Sequence, residues 1–207
     1  MSDLPEDIPE SSFWMTFDFD KLRWPAREPG IFHNFLPLVG FIAVSWSDFE
    51  QLFDEFLATM IAVNGSSHPR WERLNFRKRR NLFRNEMVTA LVAMPEVSKF
   101  LSDLTHDAAK FHWKRNLLLH GKLATSWKNK IWMLHASGRH NGRIMEIQLS
   151  LSDLDDLRHE VAQIAGRMDL ILKSHHPLRE PFASHERSLL RALILKGRQI
   201  RSILPPP

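Results

Sequence analysis

Residues 97–121 read VSKFLSDLTHDAAKFHWKRNLLLHG. Val97, Leu101, Leu104, Ala108, Phe111, Arg115 and Leu118 recur at steps of 4, 3, 4, 3, 4 and 3, the period of one face of an α-helix. The spacing predicts a long amphipathic helix. Pro95 can open it as the first residue, where the missing N–H costs nothing. Gly121 is expected to end it in the left-handed conformation that glycine adopts freely. Arg115 falls on the stripe where an apolar residue belongs, and a charge on such a seam is costly unless it is paired. Asn116 and His120 stand four residues apart and share a neighbouring face.

Four further helices and a small sheet follow from the same kind of reading. Val39, Ala43, Trp46, Phe49, Phe53, Phe56 and Met60 form the core stripe of a helix from Leu36 to Val63, closed by Asn64-Gly65-Ser66-Ser67. A basic helix is expected from Trp71 to Met94. Leu154, Leu157, Val161, Ile164, Met168 and Ile171 mark another, with Ser152 and Asp155 as its cap. A last helix follows Ser184, with Leu190, Leu193, Ile200 and Ile203 on one side; Gly197 should weaken it by about 1 kcal/mol relative to alanine. After Gly121 the period changes to two. Lys130–His135 and Arg143–Leu149 read as strands joined by a turn at Asn141-Gly142. Met145, Ile147 and Leu149 would share one face, and Glu146 and Gln148 the other. Phe13–Asp20 also alternates like a strand. The expected fold is mainly α: a helical bundle with a small antiparallel β-hairpin insertion at about 130–149. Residues 1–34 form an N-terminal extension, 35–174 the helical domain, and 175–207 a basic C-terminal helix and tail.

Composition narrows the function classes. The chain has 207 residues, no cysteine and a net charge of +4. That excludes disulfide frameworks, thiolate nucleophiles and cysteine zinc sites. No apolar run approaches the roughly 20 residues that span a bilayer. The acidic start, MSDLPEDIPESS, is unlike a signal peptide, so a cytoplasmic protein is expected. Eight glycines and no phosphate-cradling loop argue against a nucleotide fold. No cofactor and no metal are expected.

The charge is uneven. Residues 70–85, RWERLNFRKRRNLFRN, hold seven Lys and Arg against Glu72, and residues 184–203 hold five against Glu186. Arg77, Lys78, Arg79, Arg80 and Arg84 are candidates to bind RNA phosphates, although a solvated helix face is the plainer reading of either cluster alone.

The chemistry concentrates at Arg115-Asn116-Leu117-Leu118-Leu119-His120-Gly121. Arginine offers a rigid fork of donors that matches phosphate, and histidine exchanges a proton near neutral pH. The pair points to chemistry on a phosphodiester. The plainer alternative is an interface arginine and a helix-capping histidine. His106-Asp107 invites a metal-phosphohydrolase reading with His68 and Asp153, but a two-letter match is cheap.

RNLLLHG resembles the motif of the HEPN family of small helical proteins: an arginine, a polar residue, a short variable run, then histidine, frequently followed by glycine. The resemblance extends more weakly to residues 40–63 and 153–172, and spans about 35–174. It implies a metal-independent endoribonuclease, possessing a composite cleft where two motif helices meet in a homodimer. Arg115, Asn116 and His120 would be the catalytic residues. It also implies a toxin–antitoxin or defence setting with a protein antitoxin. The alternative is a non-catalytic helical module that binds RNA or protein.

Overall fold

The computed structural model describes residues 29–128, 131–140, 143–172 and 184–203. The expected Phe13–Asp20 strand and Asn141-Gly142 turn lie outside them. The described chain is mainly helical: α1 (Pro29–Asn64), a 3-10 turn (Trp71–Arg73), α2 (Phe76–Ala90), α3 (Pro95–His120), α4 (Leu151–Leu172) and α5 (Ser184–Ile203). Three strands, β1 (Lys122–Lys128), β2 (Ile131–His140) and β3 (Arg143–Leu149), sit between α3 and α4. Among the described residues no helix is long and apolar enough to cross a membrane.

The chain packs as two units. One holds the described residues up to Val44 with Phe111–Glu160, the other Ser45–Lys110 with those from Val161 onward. Helices α1, α3 and α4 each contribute to both.

In the second unit the expected aromatic stripe is the core. Trp46, Phe49, Phe53, Phe56 and Met60 are fully buried. From α2, Phe83 stacks on Phe53 at 4.6 Å and Phe76 meets Trp46 edge-on at 5.2 Å, geometries that aromatic quadrupoles favour. Helix α2 is shorter than expected. Leu74 is extended and Asn75 caps the helix, its side chain accepting from the Lys78 N–H at 3.0 Å. An asparagine satisfying an orphan N–H outweighs the apolar pattern that runs on either side of it. Pro95 does open α3, and the next N–H, of Glu96, donates to the buried Glu186 carboxylate of α5 at 3.0 Å.

Glycine 197 has a packing reason that propensity misses. A Cβ built there would meet the Thr59 side chain and lie 3.0 Å from the Thr59 carbonyl oxygen. Its cost to the helix offsets a close approach of α5 to α1.

In the first unit α1 begins earlier than expected and carries Pro37 inside it. One lost ladder bond is tolerated where Phe35, Val39 and Ile42 are buried on the same helix. The sheet is larger than a hairpin. Its order is β1-β2-β3, antiparallel throughout, with Lys122 opposite Ser137 and Leu134 opposite Leu149. Leu123, Thr125, Leu134 and Ala136 are buried, and Met145, Ile147 and Leu149 are less exposed than Glu146 and Gln148, as the alternation requires. Helix α4 starts one residue before the expected cap. Ser150 and Asp153 form the capping box: Ser150 N–H donates to Asp153 Oδ2 at 2.8 Å, and Asp153 N–H donates to Ser150 Oγ at 3.1 Å. The Ser150 hydroxyl, which donates to Asp153 Oδ2 at 2.7 Å, and then the Ser150 N–H hold the Asp153 carboxyl below its ordinary value.

Candidate active site

The last turns of α3 gather four polar side chains. Arg115 Nη1 donates to Asn116 Oδ1 at 2.9 Å and lies 3.3 Å from His120 Nε2. Asn116 Nδ2 lies 3.2 Å from His112 Nε2. Arginine only donates and the amide nitrogen only donates. Both histidines therefore present an Nε2 lone pair, with the ring proton on Nδ1; this tautomer is assigned from the network. The order is His112–Asn116–Arg115–His120, with a single arginine nitrogen joining its two halves.

The burial around these groups explains how a charged residue occupies the stripe. Phe111, Leu117 and Leu118 are buried, Arg115 and Asn116 are half-buried, and His120 is exposed. The arginine stem covers apolar neighbours while its head meets polar partners. Next to it, Lys114 Nζ lies 3.6 Å from Glu160 Oε2 of α4.

Gly121 is not left-handed; among the described glycines only Gly65 has positive φ. The helical ladder continues through it, with its N–H on the Leu117 carbonyl at 2.9 Å. The position needs glycine for another reason. A Cβ there would collide with the Leu117 carbonyl and lie 2.6 Å from the Ser137 carbonyl of β2. A Cβ at Gly138 would likewise lie 3.0 Å from the Leu117 side chain and 3.6 Å from the Gly121 Cα. The motif helix is thus seated backbone to backbone on the sheet, which sets the position of His120.

The sequence brought Arg115, Asn116 and His120 forward, and the structure brings their side chains together. It adds His112. The signal was present, since His112, Asn116 and His120 recur every four residues, but a motif read forward from Arg115 leaves it out.

The five basic candidates of α2 do not form one group. Arg79 is bound to the Glu50 carboxylate at 2.7 Å and to Asp54, with 12% of its side chain exposed. It is part of the packing, which removes it from a set of accessible phosphate binders. Burial pushes the Asp54 carboxyl up against the pull of Arg79, with Glu50 and Glu72 adding to the push. Arg77, Lys78 and Arg84 are exposed and Arg80 is half-buried.

The residues of the metal-phosphohydrolase reading are dispersed in other roles. Asp107 accepts from Arg167 at 2.8 Å, His106 is exposed, His68 donates to Glu86 at 2.8 Å, and Asp153 caps α4.

Comparison with known proteins adds no relative: no family model, no curated protein and no solved structure matches the chain.

Proposed function

We propose that this chain is a metal-independent endoribonuclease of HEPN type. The observation that carries the reading is the contact of one Arg115 nitrogen with both Asn116 and His120, at 2.9 and 3.3 Å. The contact supports the reading because a guanidinium can bind phosphate and the imidazole beside it can transfer a proton. In the reaction the RNA 2′-oxygen attacks its own adjacent phosphorus, and the bond from phosphorus to the 5′-oxygen breaks. The products are a 2′,3′-cyclic phosphate and a 5′-hydroxyl. His120 takes or returns the proton through Nε2. Arg115 holds the phosphate and stabilises its growing charge. Asn116 orients Arg115, and His112 fixes the Asn116 amide by accepting from its nitrogen. RNA supplies the nucleophile, so no serine, cysteine or metal is needed. A homodimer with a composite cleft, a protein antitoxin, a role in defence and a cytoplasmic location belong to the same proposal.

One observation favours a second reading. The Arg115 nitrogen nearest His120 already donates to Asn116, and a closed chain of this kind also suits a rigid binding face. The test is cleavage of labelled total RNA and tRNA in excess EDTA by the wild type, His120→Ala and Arg115→Ala. A general acid or base contributes about 10²–10⁴-fold, so His120→Ala should lose cleavage by that factor with its helix content unchanged. Lost dimerisation in these variants, with no RNA cleaved by the wild type, would replace the enzyme by the binding module.

A further inference from the structure

The basic residues of α2 separate by the company they keep. On a helix Arg77, Arg80 and Arg84 fall within a narrow arc, at steps of 3 and 4. Arg79 projects to the other flank of the buried Phe76 and Phe83 face, where Glu50 and Asp54 neutralise it. The three arginines of the row have no carboxylate partner among the described residues. The Nε of Arg80 is enclosed and has no hydrogen-bond partner there. Burial, together with the charges of Arg84 and Arg77, works against its ionised form.

The first turn of α2 contains no acidic residue, and Arg77 stands within it, where the helix dipole already repels cations. Three like charges on one flank, one of them partly desolvated, are an arrangement that an anion would relieve.

We infer that Arg77, Arg80 and Arg84 form a binding row for the phosphodiester backbone of a single-stranded nucleic acid. The row is about 10 Å long at the rise of an α-helix. A lone phosphate needs side chains that converge, whereas a row suits successive phosphates. An acidic peptide would need carboxylates at matching intervals; a phosphodiester strand presents a charge at every repeat whatever its sequence. Guanidinium forks meet phosphate oxygens in pairs, and phosphate contacts supply affinity without reading sequence. The inference stands apart from cleavage, because it concerns binding of a strand that cannot be cut.

The test is fluorescence anisotropy with a labelled 2′-O-methyl RNA oligonucleotide of mixed sequence, titrated over a range of salt. For a single strand each neutralised phosphate contributes about 0.7 to the salt slope. Arg77→Gln/Arg80→Gln/Arg84→Gln should lower that slope by about 2 and weaken binding at low salt at least tenfold. Arg77→Gln and Arg84→Gln singly change exposed residues and keep the test valid if the triple variant misfolds; each should lower the slope by about 0.7. Lys99→Gln, an exposed cation on α3, should leave it unchanged. Unaltered affinity and slope in the arginine variants would overturn the inference, as would an equal loss from Lys99→Gln or a wild type that does not bind. Competition by tripolyphosphate or polyglutamate at the same charge concentration as the oligonucleotide would also overturn it, by making the row a general anion site.

Discussion

The last turns of α3 and the whole of α2 are both dense in cations and amides, and they use them in opposite ways. At the end of α3 the polar groups bond to one another along one helix, and Arg115 is the link. On α2 the polar groups on one flank bond outward, Arg79 to α1 and Glu86 to the last residue of α1 and the loop that follows it, while the arginines on the other flank bond to nothing described. Charge density alone therefore does not distinguish a site from a structural tie. What distinguishes them is where each side chain's hydrogen bonds go, since a buried polar group must be satisfied somewhere.

The sharpest way to break this contrast is at Gly121. If the α3 cluster depends on the helix end being seated on β2, Gly121→Ala should destabilise the protein by about 3 kcal/mol, the upper end for overpacking, because backbone rather than side chain must yield. Chemical denaturation measures it. A loss within about 0.5 kcal/mol, as at an ordinary surface position, would mean that the helix end is not seated as described.

On α2 the two flanks can be set against each other directly. Arg79→Ala leaves Glu50 and Asp54 uncompensated. Their partial contact with water reduces the full cost of breaking a buried pair, so about 2 kcal/mol is expected. Arg77→Ala should stay within about 0.5 kcal/mol. Equal losses from the two variants would erase the distinction between a tie and a free arginine.

How much of this was legible varied with the kind of force involved. The stripes of α3 and α4 were readable because burial repeats with the helix, and every apolar member of both is buried. The proline that opens α3 followed from local chemistry alone. Strand β1, KLATSWK, was missed: its alternation of Leu123, Thr125 and Trp127 is short, and it follows the motif helix after a single residue. The true start of α2 was also passed over, although Asn75 is a strong capping residue, because the apolar pattern runs across it. For Gly121 and Gly197 the sequence alone offers local reasons, a left-handed end and a propensity cost. Their actual reasons are carbonyl groups on β2 and α1, which no local pattern encodes. Within the candidate site, Arg115 was conspicuous as a charge on an apolar seam. Arg79 was not separable from its neighbours, because a run of arginines does not record which one meets an acid.

The smallest expected effect concerns pH, and it sets two acids of the same unit against each other. Glu86 is buried, which opposes its charge, but donors from Asn64 at 2.6 Å, His68 at 2.8 Å and Ser66 at 3.0 Å outweigh burial and hold its carboxyl below the ordinary value. A lowered acid binds fewer protons in the folded state than in the unfolded chain. Its stabilising contribution is present above the unfolded value of about 4.3 and is lost as pH falls through the folded value. Asp54 is raised, so its sign is opposite: its contribution is full below about 3.9 and is lost as pH rises through the folded value. Denaturation midpoints across this range, for the wild type, Glu86→Gln and Asp54→Asn, read both. The deficit of Glu86→Gln relative to wild type should shrink as pH falls, and that of Asp54→Asn should shrink as pH rises. Parallel curves for the two variants would mean that α2 and its acids are not held by the bonds described, and the difference between the bonded and the unbonded flank would lose its electrostatic basis.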